Sequence, residues 1–210
     1  DLTRTLPKEQ IANGVADAFI HVIEQYLTYP VNAKVQDRMS EGILKTLIED
    51  GLVTFNDNED IEARKNFMWS ATSALNGVIS TGVPQDWSTH MIGHELTAMY
   101  GIAHGRTLAI VLPHLLRERK TQKHAKLLHF AERVWNISEG TDEEKVDKAI
   151  DMTERFFNSL EIVTNLTHYG IDDAGIETLV NNMEKMGLTA LSETGDLTLD
   201  IVRKIMISAK

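Results

Sequence analysis

Residues 108–116 read LAIVLPHLL and form the most apolar stretch of this 210-residue chain. A surface helix would confine its hydrophobic residues to one stripe, whereas this segment is apolar on every side. We predict a central helix here, kinked at Pro113, where a backbone hydrogen-bond donor is lost. The segment is much shorter than the roughly 20 residues of a membrane-spanning helix. It is therefore expected to form the core of a globular fold.

Helical periodicity continues on both sides of this segment, and strand-like alternation is almost absent. Pro7, Asn32 and Thr141 mark predicted helix starts, while Pro30 and Gly51 mark predicted ends. About nine helices are predicted, over approximately 7–30, 32–51, 57–81, 86–101, 108–116, 121–135, 141–160, 172–186 and 198 onward. The predicted fold is all-α, a multi-helix bundle in which residues 1–210 form one domain. A domain boundary in the polar loop after residue 140 is the alternative.

Composition excludes several classes of function. Lys and Arg number 21 and Asp and Glu number 31, which gives a formal charge of −10. Such a surface repels phosphate backbones, and the densest basic segment, residues 117–126, is interrupted by Glu118, so no nucleic-acid partner is expected. The chain has no cysteine, which excludes disulfides, thiol catalysis and Cys-ligated metals. No segment is apolar for long enough to suggest a membrane partner, and we expect a cytoplasmic protein.

Histidines and carboxylates recur at helical spacing in the first half of the chain. Asp17 and His21 are four residues apart, as are His90 and His94, so each pair projects from one helix face. His104 precedes the apolar core segment. Two such side chains, one turn apart, can bind the same divalent ion at about 2.0–2.2 Å. Spacing alone predicts five candidate ligands and pairs His90 with His94, and solvated helix faces are the alternative.

Other chemistry lacks a signature in this sequence. Glycine fingerprints for nucleotide binding, a Gly-x-Ser-x-Gly elbow, a His-Asp doublet and the Glu-x-x-His pairs of di-iron bundles are all absent. Four aromatic residues are predicted to pack in the core, namely Phe67, Trp69, Trp87 and Trp135. Trp87 is also a pocket candidate because it precedes His90. Of the remaining histidines, His114 is predicted to lie in the core or at its rim. The predicted surface histidines are His124, His129 and His168.

Two segments resemble the signature of the iron-containing (group III) alcohol dehydrogenases. Residues 13–26 read NGVADAFIHVIEQY, and residues 90–105 read HMIGHELTAMYGIAHG, followed by LAIVLP at 108–113. The order of the two motifs and the gap of about 70 residues between them also match. Within that family the sequence of these segments is most similar to the NADPH-dependent butanol dehydrogenase and broad-range aldehyde reductase branch.

The resemblance implies a metal site and a catalytic residue. Asp17, His21, His90 and His104 would bind one divalent metal, Fe²⁺ or Zn²⁺. His94 would then lie beside the substrate as the catalytic residue, where it hydrogen-bonds the substrate oxygen or relays a proton to it. The resemblance therefore pairs His90 with His104 rather than with His94.

The resemblance also implies cofactors, partners and domain organisation. NADPH or NADH would supply hydride, the substrate would be a small alcohol or aldehyde, and the complete enzyme would be a homodimer. The family combines an N-terminal dinucleotide-binding domain with a C-terminal all-α metal domain. Because the chain starts at Asp1 and has no glycine fingerprint, we expect the N-terminal domain to be absent from it. The alternative is a non-catalytic helical domain that binds metal or another protein.

Overall fold

A computed structural model describes residues 3–57 and 59–210, and within these ranges the chain forms nine α-helices. They are α1 (Lys8–Tyr26), α2 (Lys34–Asn56), α3 (Ile61–Ala74), α4 (Ser88–Tyr100), α5 (His104–Glu118), α6 (His124–Arg133), α7 (Asp142–Ser159), α8 (Asp173–Lys185) and α9 (Leu199–Ser208). A 3₁₀ turn covers Leu166–Tyr169. Two short antiparallel strands, β1 (Ala190–Leu191) and β2 (Leu197–Thr198), precede α9. The prediction of an all-α fold is confirmed.

The core is built around α1 and α5, which pack against each other. Every residue from 107 to 113 is buried, as the apolar sequence of α5 predicts, and α5 continues through Pro113. Helices α2 and α3 cover α1, while α4, α7 and α9 cover α5. Buried residues from all nine of these helices form one hydrophobic cluster. Within the described ranges, no helix is long and apolar enough to cross a membrane.

The predicted ends of the second helix are wrong. α2 begins at Lys34, and Asn32 lies before it with a positive φ of 57° instead of capping it. The helix also continues through Gly51 to Asn56. A Cβ at Gly51 would lie only 2.8 Å from a methyl carbon of Val15, so this glycine lets α1 and α2 pack closely. Packing, rather than helix termination, explains the glycine.

Other helix ends agree more closely with the sequence. The predicted capping box at Thr141 is present at the start of α7, and Gly101 ends α4 in the left-handed conformation. The N-cap position of α4 is Trp87 rather than the predicted Asp86 or Ser88. Asp86 lies one residue earlier and accepts a hydrogen bond from the backbone nitrogen of Ser88 at 2.9 Å. The start signal of the third helix, residues 57–60, includes Asn58, which lies outside the described residues. Helices α1 and α3 end several residues before their predicted limits, at Tyr26 and Ala74.

Candidate metal centre

Three helices bring the predicted metal ligands together. Asp17 and His21 lie one turn apart on α1, His90 lies in the first turn of α4, and His104 is the first residue of α5. Gly105 makes this convergence possible, because a Cβ at this position would overlap the carbonyl oxygen of Asn13. The start of α5 therefore lies directly against the backbone of α1, four residues from Asp17.

The three imidazoles face the same carboxylate oxygen of Asp17. Oδ1 of Asp17 lies 3.6 Å from Nε2 of His21, 3.9 Å from Nε2 of His90 and 3.5 Å from Nε2 of His104. These distances are too long for hydrogen bonds. Donor atoms about 2.1 Å from a tetrahedral ion lie about 3.4 Å from one another. The distances from Asp17 to the three imidazoles are therefore close to those between ligands of a common divalent ion.

Unsatisfied polar atoms at the centre of this cluster also fit a metal. Oδ1 of Asp17 and Nε2 of His90 are buried and have no hydrogen-bond partner. Buried polar atoms in native proteins nearly always have one, and a bound ion is one of the few explanations for an exception. The donor atoms of Asp17, His90 and His104 all lie within 4.8 Å of one another, and His21 joins them through Asp17. Imidazole and carboxylate are ligands that both zinc and ferrous iron accept.

The protonation states suit metal binding. Burial, and then the neighbouring His90, lower the pKa of His21 to about 4, although Asp17 opposes the shift. Burial also lowers the pKa of His104. Both imidazoles are therefore neutral near pH 7, which is the form that binds a metal ion.

The structure adds one residue that the sequence did not single out. Glu24 lies on α1 three residues after His21, and its side chain is only 2% exposed. Its Oε2 is hydrogen-bonded to Nδ1 of His90. Burial raises the pKa of Glu24, while the hydrogen bond with His90 opposes that shift. The spacing of Asp17, His21 and Glu24, four and then three residues, places all three on one helix face and could have pointed to it.

His94 lies beside the cluster rather than in it. Its ring stacks on the ring of His104 with centroids 5.0 Å apart and lies 6.1 Å from His90. The side chain of His90 is 6% exposed, whereas those of Asp17 and His104 are 34% and 35% exposed. The exposed His94 therefore marks the open side of the cluster, where a small molecule could approach.

The remaining aromatic and histidine candidates lie outside the cluster. Trp87 adopts a left-handed φ of 66° and packs its ring edge-on against His21 and His90, which agrees with a packing role. The predicted packing of Trp69 is wrong, because this residue is 72% exposed. His114 is half-buried and contacts Ser208. The other three histidines, His124, His129 and His168, are half-buried or exposed, and none belongs to the cluster.

The chain matches a known protein family over most of its length. Residues 11–202 match the model of the Fe-containing alcohol dehydrogenase family, C-terminal part. The chain is similar to the NADPH-dependent aldehyde reductase YqhD of Escherichia coli (strain K12), with 55% identity over 208 residues, 99% of this chain and 54% of that protein. It is also similar to the probable NADH-dependent butanol dehydrogenase 1 of Bacillus subtilis (strain 168), with 37% identity over 181 residues, 85% of this chain and 47% of that protein.

The fold matches a solved structure over almost the same extent. The substrate- and cofactor-free form of the aldehyde reductase YqhD from E. coli is similar with a TM-score of 0.97 and 55% identity, over 99% of this chain and 55% of that one. The chain thus spans about half the length of the curated relatives that it matches.

Proposed function

Since this chain belongs to the Fe-containing alcohol dehydrogenase family, we propose that it is the metal-binding half of an NAD(P)-dependent alcohol dehydrogenase or aldehyde reductase. In this proposal, residues 1–210 form one all-α domain. A dinucleotide-binding domain elsewhere in the whole protein holds NADPH or NADH. The relatives are named as an aldehyde reductase and a butanol dehydrogenase, so a small aldehyde or alcohol is the proposed substrate class. We propose that the whole enzyme is a homodimer.

One observation carries the proposal. Three imidazole nitrogens from three helices face the same oxygen of Asp17 at 3.5–3.9 Å, and no hydrogen bonds explain the arrangement. Bringing buried polar atoms together without partners costs stability, typically about 1–3 kcal/mol for each group. A bound divalent ion would remove that cost. A helical domain without a metal would gain nothing from this cluster.

The proposed mechanism assigns a task to each side chain. Asp17, His21, His90 and His104 hold Fe²⁺ or Zn²⁺, which when bound stabilises negative charge on the substrate oxygen as hydride arrives from the nicotinamide. Asp17 is the one anionic side chain among these four. The neutral imidazoles leave the site with a net positive charge, which favours an anionic substrate oxygen. Asp17 and His104 line the open side, so the substrate oxygen reaches the centre there.

His94 acts on the substrate in this mechanism. It is exposed on the open side, next to His104. An imidazole in this position can hydrogen-bond the substrate oxygen and transfer a proton to it, because histidine changes its charge near neutral pH. We therefore propose His94 as the catalytic residue and not as a metal ligand.

Elemental analysis of protein purified without oxygen tests the proposed function. We expect about one iron or zinc per chain in the wild type and none in the double variant Asp17→Ala, His104→Ala. A matched control, His168→Ala, Asp200→Ala, removes one exposed histidine and one exposed aspartate and should keep the metal. No metal in the wild type after Fe²⁺ or Zn²⁺ is supplied would contradict the proposal. Aldehyde-dependent NADPH oxidation by the 210-residue chain alone would contradict the assignment of half an enzyme.

A further inference from the structure

We propose that Glu24 is a positioning residue of the metal centre, which holds the ring of His90 with Nε2 turned toward Asp17. Glu24 does not contact the ion in this proposal. It acts through His90, and it also fixes which nitrogen of that ring carries the proton. This inference rests on the proposed function, because it assigns Glu24 a role toward the metal that the cluster binds.

The contacts of His90 leave one nitrogen for Glu24 and one for the ion. Nδ1 is hydrogen-bonded to Oε2 of Glu24, and Nε2 is buried without a partner at 3.9 Å from Oδ1 of Asp17. When Glu24 is the acceptor of this hydrogen bond, Nδ1 carries the hydrogen. The lone pair of the neutral ring is then on Nε2. This tautomer is the one that a metal at the cluster requires.

Glu24 is itself held firmly by contacts on both sides. Its other carboxylate oxygen accepts a hydrogen bond of 2.5 Å from the backbone nitrogen of Thr89. Its backbone carbonyl accepts a hydrogen bond of 2.9 Å from the backbone nitrogen of Asp86. The carboxylate of Asp86 in turn lies 2.8 Å from Nζ of the buried Lys123. Glu24 therefore ties the first turn of α4, which carries His90, to α1, which carries Asp17 and His21.

The burial of the Glu24 carboxyl group also fits a metal on His90. Within residues 3–57 and 59–210, the one basic side chain in ion-pair contact with Glu24 is His90. A buried carboxylate without a cationic partner is costly. A metal ion on Nε2 withdraws charge from the ring, which makes the Nδ1 hydrogen a stronger donor to Glu24. The carboxylate and the ion consequently stabilise each other through His90.

His21 has no carboxylate partner of the kind that Glu24 provides for His90. Its Nδ1 is buried and has no hydrogen-bond partner. The ring of His21 is fixed by packing against Trp87 and His90 instead. Loss of Glu24 should therefore affect the centre through His90 and the first turn of α4 rather than through His21.

Substitution of Glu24 by glutamine tests the proposal. Zn²⁺ affinity is measured by competition with a chelator for the wild-type chain, for Glu24→Gln and for a control, Glu41→Gln. Glu41 is also a buried carboxylate, which accepts hydrogen bonds from Tyr26 at 2.9 Å and Arg133 at 3.0 Å. In the described part of the chain it forms no hydrogen bond or ion pair with the four side chains of the cluster. We expect Glu24→Gln to bind Zn²⁺ about 10–100-fold more weakly and Glu41→Gln to bind it as the wild type does.

The outcomes separate this inference from the proposed function. Equal Zn²⁺ affinity of Glu24→Gln and wild type would overturn the role of Glu24, whereas a wild type that binds no Zn²⁺ would overturn the metal site itself. If Glu24→Gln does not fold, the proposal is tested instead by the tautomer of the His90 ring in the metal-free wild type. Long-range ¹H–¹⁵N NMR shows which ring nitrogen carries the hydrogen. Hydrogen on Nδ1 and none on Nε2 supports the proposal. Hydrogen on Nε2 overturns it.

Discussion

At the scale of single residues, the positions of His94 and His104 decide which imidazole completes the metal cluster. Helical spacing pairs His90 with His94, but a helix face fixes only direction and not distance to a third group. In the structure, Nε2 of His104 lies 3.5 Å from Asp17, whereas His94 stacks on the outer face of the His104 ring. The packing of α5 on α1 therefore brings an imidazole from another helix into the place that spacing gave to His94.

His94→Ala is expected to keep its metal and lose activity. The substitution removes a side chain outside the cluster, so metal content measured on the chain should match the wild type, while His104→Ala should lose the metal. In the full-length enzyme, His94→Ala should lower the turnover number by about 10²–10⁴-fold, the usual contribution of a general acid or base. Loss of metal from His94→Ala together with its retention in His104→Ala would reverse the two assignments.

The candidate metal ligands could be predicted from the sequence, but the residue that orients His90 could not. Asp17 and His21 are four residues apart, so they lie one turn apart on one helix face and can bind the same ion. Glu24 is different, because a glutamate in a long helix is usually solvated and its burial depends on α4 packing against α1. Helical spacing places Glu24 on the same face of α1 as His21, but its contact with His90 joins residues 66 positions apart and does not follow from that spacing.

At the scale of elements, Gly105 sets the approach of α5 to α1. Gly105→Ala should destabilise the chain by about 1–3 kcal/mol, because the added methyl group overlaps the Asn13 carbonyl and α5 must shift. The shift moves the adjacent His104, so metal affinity should also fall. Gly42→Ala is the matched control, since a Cβ there meets nothing within 4 Å and should stabilise α2 by about 0.5–1 kcal/mol. Urea unfolding of both variants checks this, and equal effects would contradict the packing role of Gly105.

The loop between β1 and β2 is attached to the end of α5 by Asp196. Hydrogen bonds from the Arg119 guanidinium and from Thr194 hold the pKa of Asp196 well below its usual 3.8. A carboxylate with a lowered pKa in the folded state stabilises it above pH 3.8, and this contribution is lost as pH falls further.

Asp196→Asn should therefore destabilise the chain at pH 7 by about 1 kcal/mol, a small value because the Asp196 side chain is half-exposed. The difference from the wild type should shrink steadily as pH falls below 3.8. Urea unfolding at several pH values measures it. A difference that does not change with pH would show that the charge of Asp196 contributes nothing.

At the scale of the whole molecule, the fold class could be predicted and the neighbours of each helix could not. The helical periodicity and the apolar segment 108–116 are local properties, and both α5 and the all-α class followed from them. The end of α2 could not be predicted, because Gly51 serves a contact with Val15 on another helix. The short strands β1 and β2 have two residues each, too few to show alternation.

Anomalous diffraction from crystals of the metal-loaded chain, recorded at the iron or zinc absorption edge, tests most directly whether α1, α4 and α5 bind a single shared ion. We predict one peak, about 2.0–2.2 Å from a carboxylate oxygen of Asp17 and from Nε2 of His21, His90 and His104. A peak bonded to His94 in place of His104 would contradict the ligand assignment. The absence of any peak among these four side chains would contradict the metal centre.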